Sequence, residues 1–154
     1  MHALVEDELR FSASIVLSRE EVVPRFRIEV PGDAGYQLFV PLPDDTGERQ
    51  WRLGLVSGFM AWKGAGAFVM STELVEPDAV LSVAVSRDLV CAALRGILRK
   101  PLMLGPVDWL SLNQIGDEIP KLLPPASATL SAAMMQDLEH VFGPQGAFKV
   151  ERVQ

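Results

Sequence analysis

Residues 49–62 read RQWRLGLVSGFMAW, and the way their apolar residues alternate decides what kind of sheet the chain can build. Counted in twos, Trp51, Leu53, Leu55, Phe59 and Ala61 share one side, and Arg52, Gly54, Val56, Gly58, Met60 and Trp62 share the other. The second side begins polar and ends apolar. Its two glycines suit a bulge or the close approach of another backbone. On this count the stretch is a strand, and Lys63-Gly64-Ala65-Gly66 is the turn that returns it into AFVMSTELV (67–75), with Lys63 in solvent at the tip.

The glycines of that turn invite a second reading, a phosphate-binding loop. A nucleoside-triphosphate loop needs its lysine after the glycines and a helix after the lysine, whereas Lys63 comes before them. A dinucleotide fingerprint would need a third glycine at position 69, which is Val69. The residues that follow alternate as a strand does, so the site would lack the aligned N–H groups of a helix start. Geometry of the backbone, not anion binding, is the reading these glycines support.

Outward from this stretch the first half reads as strands. FSASIVL (11–17) places Phe11, Ala13, Ile15 and Leu17 on one face. RFRIEV (25–30) alternates Phe26, Ile28 and Val30 against Arg25, Arg27 and Glu29, then PGDAG (31–35) supplies a turn into YQLFVPL (36–42). PDDTGE (43–48) reads as a further solvated turn, and AVLSVAV (79–85) as the last strand of the series. The short connections favour antiparallel neighbours, since parallel pairs need longer crossovers.

After residue 86 the period changes. Ser86 and Asp88 suit a helix start; Leu89, Val90, Ala93, Leu94 and Ile97 form an apolar arc, and Arg95, Arg99 and Lys100 precede Pro101. A helix is predicted over 87–100. The proline-rich segment 101–126 has no clear period, carries Trp109 and is apolar for a loop, so it is read as a cover for the sheet with part of it exposed. A second helix is predicted over about 128–142, ended by Gly143 and Pro144, and AFKVERV (147–153) as a returning strand. The expected class is α+β. It is one domain, residues 1–154, with a mostly antiparallel sheet of about five to seven strands and two helices packed on one face.

Composition narrows the function. The chain has 154 residues with 14 basic and 20 acidic, a net charge of −6, and its mean hydropathy is +0.21. Such a chain can bury a core, and its acidity disfavours nucleic acid as a partner. No run is long and apolar enough to span a bilayer, and the acidic N-terminal segment does not read as a secretory signal, so no membrane partner and a cytoplasmic setting are expected. With one cysteine and two histidines there is no basis for a disulfide or a thiolate- or imidazole-rich metal site, and no cofactor is expected.

The strongest candidate for a ligand site is the expected strand-to-helix junction: Ser86, Arg87, Asp88, Cys91 and Arg95. On a helix Cys91 lies one turn before Arg95, whose guanidinium would favour the thiolate. A nucleophile there lacks a base, because His2 is terminal and His140 falls opposite the apolar stripe of its helix. Glu73, Glu76 and Asp78 could raise one another's pKa, but acidic residues beside a proline are ordinary turn content. Trp62, Phe68 and Trp109 are candidate interface residues, because large aromatics anchor interfaces as often as they fill cores. Together these features point to a non-enzymatic protein-interaction or oligomerising module, a homodimer or a binder of another protein. The alternative is a small-molecule binding protein or enzyme centred on the Ser86–Cys91 junction.

Overall fold

A computed structural model describes residues 1–153. In chain order the elements are α1 (His2–Leu17), β1 (Arg25–Glu29), β2 (Tyr36–Phe39), α2 (Thr46–Lys63), β3 (Ala67–Leu74), β4 (Ala79–Ser86) and β5 (Val90–Arg99). Then follow β6 (Leu102–Leu104), β7 (Asp108–Trp109), α3 (Leu112–Ile115), α4 (Ala132–Val141) and β8 (Lys149–Arg152). One antiparallel sheet runs β6-β5-β4-β3-β1-β2-β8, with β7 also paired to β5. The α+β class is as expected, with eight strands and a somewhat larger sheet.

Three segments differ from the expectation, each for a definite reason. Residues 11–17 belong to helix α1. Its buried side chains, Val5, Leu9, Ser12, Ala13 and Val16, recur every three or four residues, a period hidden when only the C-terminal half is considered. Residues 49–62 are helix α2, whose buried Leu53, Val56, Phe59 and Met60 are spaced three or four apart. Asp45 caps this helix by accepting from the Glu48 N–H at 2.9 Å, so the supposed solvated turn is a helix start. Gly64, at φ 70°, closes it, with the Ala65 N–H donating to the Met60 carbonyl.

Residues 87–100 are not a helix but a tight turn followed by strand β5 (Val90–Arg99). Ser86–Leu89 forms a tight turn, the Ser86 N–H donating to the Leu89 carbonyl at 2.8 Å, and Val85 pairs with Val90. Ala92 and Ala93 have high helix propensity, yet they are buried on opposite faces of the sheet, which a helix could not arrange. Pro101 stands in the turn between β5 and β6 and ends no helix.

The sheet is covered on both sides. Phe26, Ile28, Leu38, Phe68, Met70, Val83 and Val85 point toward α2 and α4. The opposite face of β3, β4 and β5 packs Val69, Val80, Ala84, Ala93 and Ile97 against Val5, Leu9 and Val16 of α1. The two helices on one face are thus α2 and α4, not the pair expected. α4 approaches α2 closely at Gly58, where a Cβ would lie 3.2 Å from the Met134 sulfur and 3.5 Å from Leu138. β8 pairs with β2, Leu38 opposite Val150, and ties the end of the chain to its first hairpin as expected. In that hairpin Gly35, at φ 93°, turns the backbone where a Cβ would strike the Ile28 carbonyl.

Candidate functional site

The residues proposed from sequence meet only in part. Ser86 and Arg87 sit in the β4–β5 turn beside a groove of about 520 Å³, whose far wall is Pro120, Leu123 and Pro124. The Arg87 guanidinium donates through Nη2 to the Ala65 carbonyl at 3.1 Å and reaches the Pro124 carbonyl at 3.5 Å, bridging three segments. A second hollow of about 440 Å³, lined by Pro31, Asp33 and Gly66, opens near the same end of the sheet. Asp88 is exposed outside both.

Cys91 and Arg95 point to the α1 side of β5, but four residues of strand separate their Cα atoms by about 13 Å. The Arg95 Nε donates instead to the Gly105 carbonyl at 2.8 Å. The pairing that would have activated Cys91 therefore depended on a helix that is not there. Burial pushes the Cys91 thiol up from its ordinary value, outweighing the opposite pull of the N-terminal ammonium. Alkylation of Cys91 by iodoacetamide near neutral pH is expected to be slower than that of free cysteine and to keep rising through the alkaline range. A rate that levels off near neutrality in a stopped time course would contradict this.

Of the candidate interface residues, Phe68 is buried in the core against Phe26, with ring centroids 6.3 Å apart, and cannot meet a partner. Trp62 is half-buried at the end of α2, and Trp109 is 39% exposed with the His2 ring 4.4 Å away. In the acidic turn the carboxyl pKa of Asp78 is lowered, not raised. The Arg99 guanidinium grips Asp78 through two hydrogen bonds of 2.8 Å and reaches Glu73 at 3.3 Å, holding Asp78 below its usual value. His140 is exposed. Lys63-Gly64-Ala65-Gly66 joins a helix to a following strand, the reverse of a phosphate loop's order. Among the described residues, no three His, Cys, Asp or Glu side chains gather to hold a metal ion.

Sequence reasoning missed a polar cluster beneath α1. Glu8 is 2% exposed, and its Oε2 accepts from Arg25 Nε at 3.1 Å, Arg25 Nη2 at 2.5 Å and Ser71 Oγ at 3.1 Å. Arg27 Nη1 lies 3.9 Å from the other carboxylate oxygen, Arg25 reaches Gln37 at 3.3 Å, and its guanidinium stacks 3.5 Å over Phe11. Arg25, Ser71 and Ser82 lie in one cross-strand row, and Ser12 and Ser82 bury hydroxyls that have no partner among the described residues. Glu8, Arg25 and the serines are buried while Arg27 and Phe11 reach the surface, and the cluster opens into neither groove, so it reads as the device that sets α1 in register on the sheet. The arginines of β1 were visible as one face of an alternating strand. The partner was not, because Glu8 stands among other acidic residues that face water.

Comparison of the chain with known protein families, curated proteins and solved structures finds no match.

Proposed function

We propose that this domain is a non-enzymatic interaction module that pairs with a second copy of itself through the edge formed by residues 98–112. The observation that carries the reading is a run of exposed apolar side chains along both faces of that edge: Leu98 (58%) and Met103 (48%) on one face, Trp109 (39%) on the α1 face, and Val107 (38%) and Leu112 (71%) in the flanking segments. Leu98 and Met103 are cross-strand partners, and β6 ends the sheet on this side. A terminal strand offers its outward backbone groups to another strand, and a twofold axis through that edge would pair it with itself. Electrostatics does not oppose a second copy at this place. The whole chain carries −6, whereas this edge, with Lys100 and Asp108 and with Arg99 bound to Glu73 and Asp78, holds two basic and three acidic groups, or −1. Two copies meeting here avoid most of the repulsion that strongly acidic surfaces would impose.

Light scattering of the eluting protein at tens of micromolar is expected to give twice the 16.9 kDa of one chain. The pair Leu98→Glu and Met103→Glu, both at exposed positions, is expected to return it to a single chain that keeps its folded circular-dichroism spectrum. A wild-type mass of one chain would end this reading. The second reading, small-molecule binding beside Ser86 and Arg87, would then stand alone. It is supported by a groove whose volume falls in the range of ligand sites and which offers a guanidinium among apolar walls.

A further inference from the structure

Lys63 does not reach into solvent as the sequence suggested. Its ammonium lies 3.6 Å from the ring centre of Trp62, 5.3 Å from that of Tyr36 and 5.7 Å from that of Phe59. The three rings form a corner. Tyr36 stands at 84° to Phe59 with centroids 5.3 Å apart, and Trp62 at 83° to Phe59 at 5.7 Å. Two walls are fixed in advance. Phe59 is 2% exposed, and the buried Tyr36 accepts a hydrogen bond from Arg152 at 3.0 Å. Among the described residues the Lys63 ammonium pairs with no carboxylate, so ring faces are what hold it. A neighbouring cation, Arg152, lies 4.9 Å over the Tyr36 ring and is itself neutralised by Asp33 at 2.5 Å.

We propose that Tyr36, Phe59 and Trp62 form a binding site for a quaternary or methylated ammonium group, and that Lys63 is its resident occupant until displaced. Ring faces attract a cation through their quadrupoles and gain most when it is poorly hydrated, as a methylated ammonium is. A primary ammonium forfeits strong hydration when it enters such a corner, so Lys63 is a weak plug. It is the last residue of α2, followed by a left-handed glycine, and its flexible stem can swing outward without moving the helix. The site is separate from the 98–112 edge and stands whether or not the chain dimerises there.

The test is a titration followed by nuclear magnetic resonance, comparing wild type, Lys63→Ala, Lys63→Ser and Lys63→Ala/Trp62→Ala. The probes are choline, its uncharged isostere 3,3-dimethylbutanol and a short peptide carrying trimethyllysine. Both single variants are expected to bind choline about tenfold more tightly than wild type, with shifts centred on Tyr36 and Phe59. The double variant is expected to lose that binding, and the isostere to show none. Two single variants that retain their amide spectra and gain nothing over wild type would overturn the proposal, as would equal binding of the uncharged isostere. Within a positive result, a peptide at least about tenfold tighter than choline identifies a modified protein tail as the source of the cation, and the reverse order a free small molecule.

Discussion

Replacing Glu8 by alanine is expected to destabilise the fold by about 3–5 kcal/mol, the usual cost of removing one member of a buried ion pair. Glu8 accepts hydrogen bonds from Arg25 and Ser71, and both of those residues are buried. Without the carboxylate, Arg25 keeps Gln37 and the face of Phe11 but has no anion in contact except through solvent that the helix excludes. The loss measures an orphaned charge more than the worth of the pair. Glu8→Leu combined with Arg25→Met should therefore recover much of it, since apolar replacements of similar volume often cost little. Urea unfolding of the two single variants and the double variant gives the coupling directly. A Glu8→Ala midpoint within experimental scatter of wild type would show that water reaches Arg25 and that the cluster is not sealed.

Phe59→Ala is the second large effect, expected at about 3–5 kcal/mol. The Phe59 ring meets Tyr36 at 5.3 Å, Trp62 at 5.7 Å and Phe142 at 5.2 Å, joining β2, the end of α2 and the end of α4. Truncation leaves a void among groups held from three elements, which cannot all collapse into it. Phe59→Leu, which keeps much of the volume, should lose well under half as much, though it forfeits the edge-to-face contacts. Phe148, buried but meeting one ring of the same aromatic series, Phe142, where Phe59 meets three, is the comparison. Calorimetry on the three variants checks the order; a Phe59→Ala loss no larger than that of Phe148→Ala would remove Phe59 from the centre of the core.

What was legible in the sequence divides along a physical line. Strands β1, β2, β3, β4 and β8 could be read because each meets water or a turn somewhere, and the alternation of Arg25, Arg27 and Glu29 against Phe26 and Ile28 records the polar row of β1, two members of which face Glu8 of α1, and the apolar row it turns to the opposite core. α2 misled because Leu53 and Leu55 satisfy a period of two, while the pairs Leu55–Val56 and Phe59–Met60 that reveal a helix also look like a continuous apolar run. The decisive local signal was Asp45 followed three residues later by Glu48, a helix start that composition alone disguises as a turn. β5 was illegible for a different reason. Its alanines favour a helix in isolation, and only helices packed on both faces of the sheet make small residues the right choice. The consequence for the candidate site was direct. Ser86 and Arg87 kept their place at an end of the sheet, whereas the Cys91–Arg95 pairing vanished with the helix that would have produced it.

The pairing of β8 with β2 orders events during synthesis. β2 lies between β1 and β8, yet its second neighbour is made after every other strand of the sheet. While the ribosome is still adding residues 40–148, the outer backbone groups of Tyr36–Phe39 have no strand to bond, and the nascent domain carries an open template beside its own aromatic cluster. Completion of the sheet is thus a late, single step. Encounters between growing chains would concentrate on this strand, at the opposite end of the sheet from the edge proposed for mature pairing.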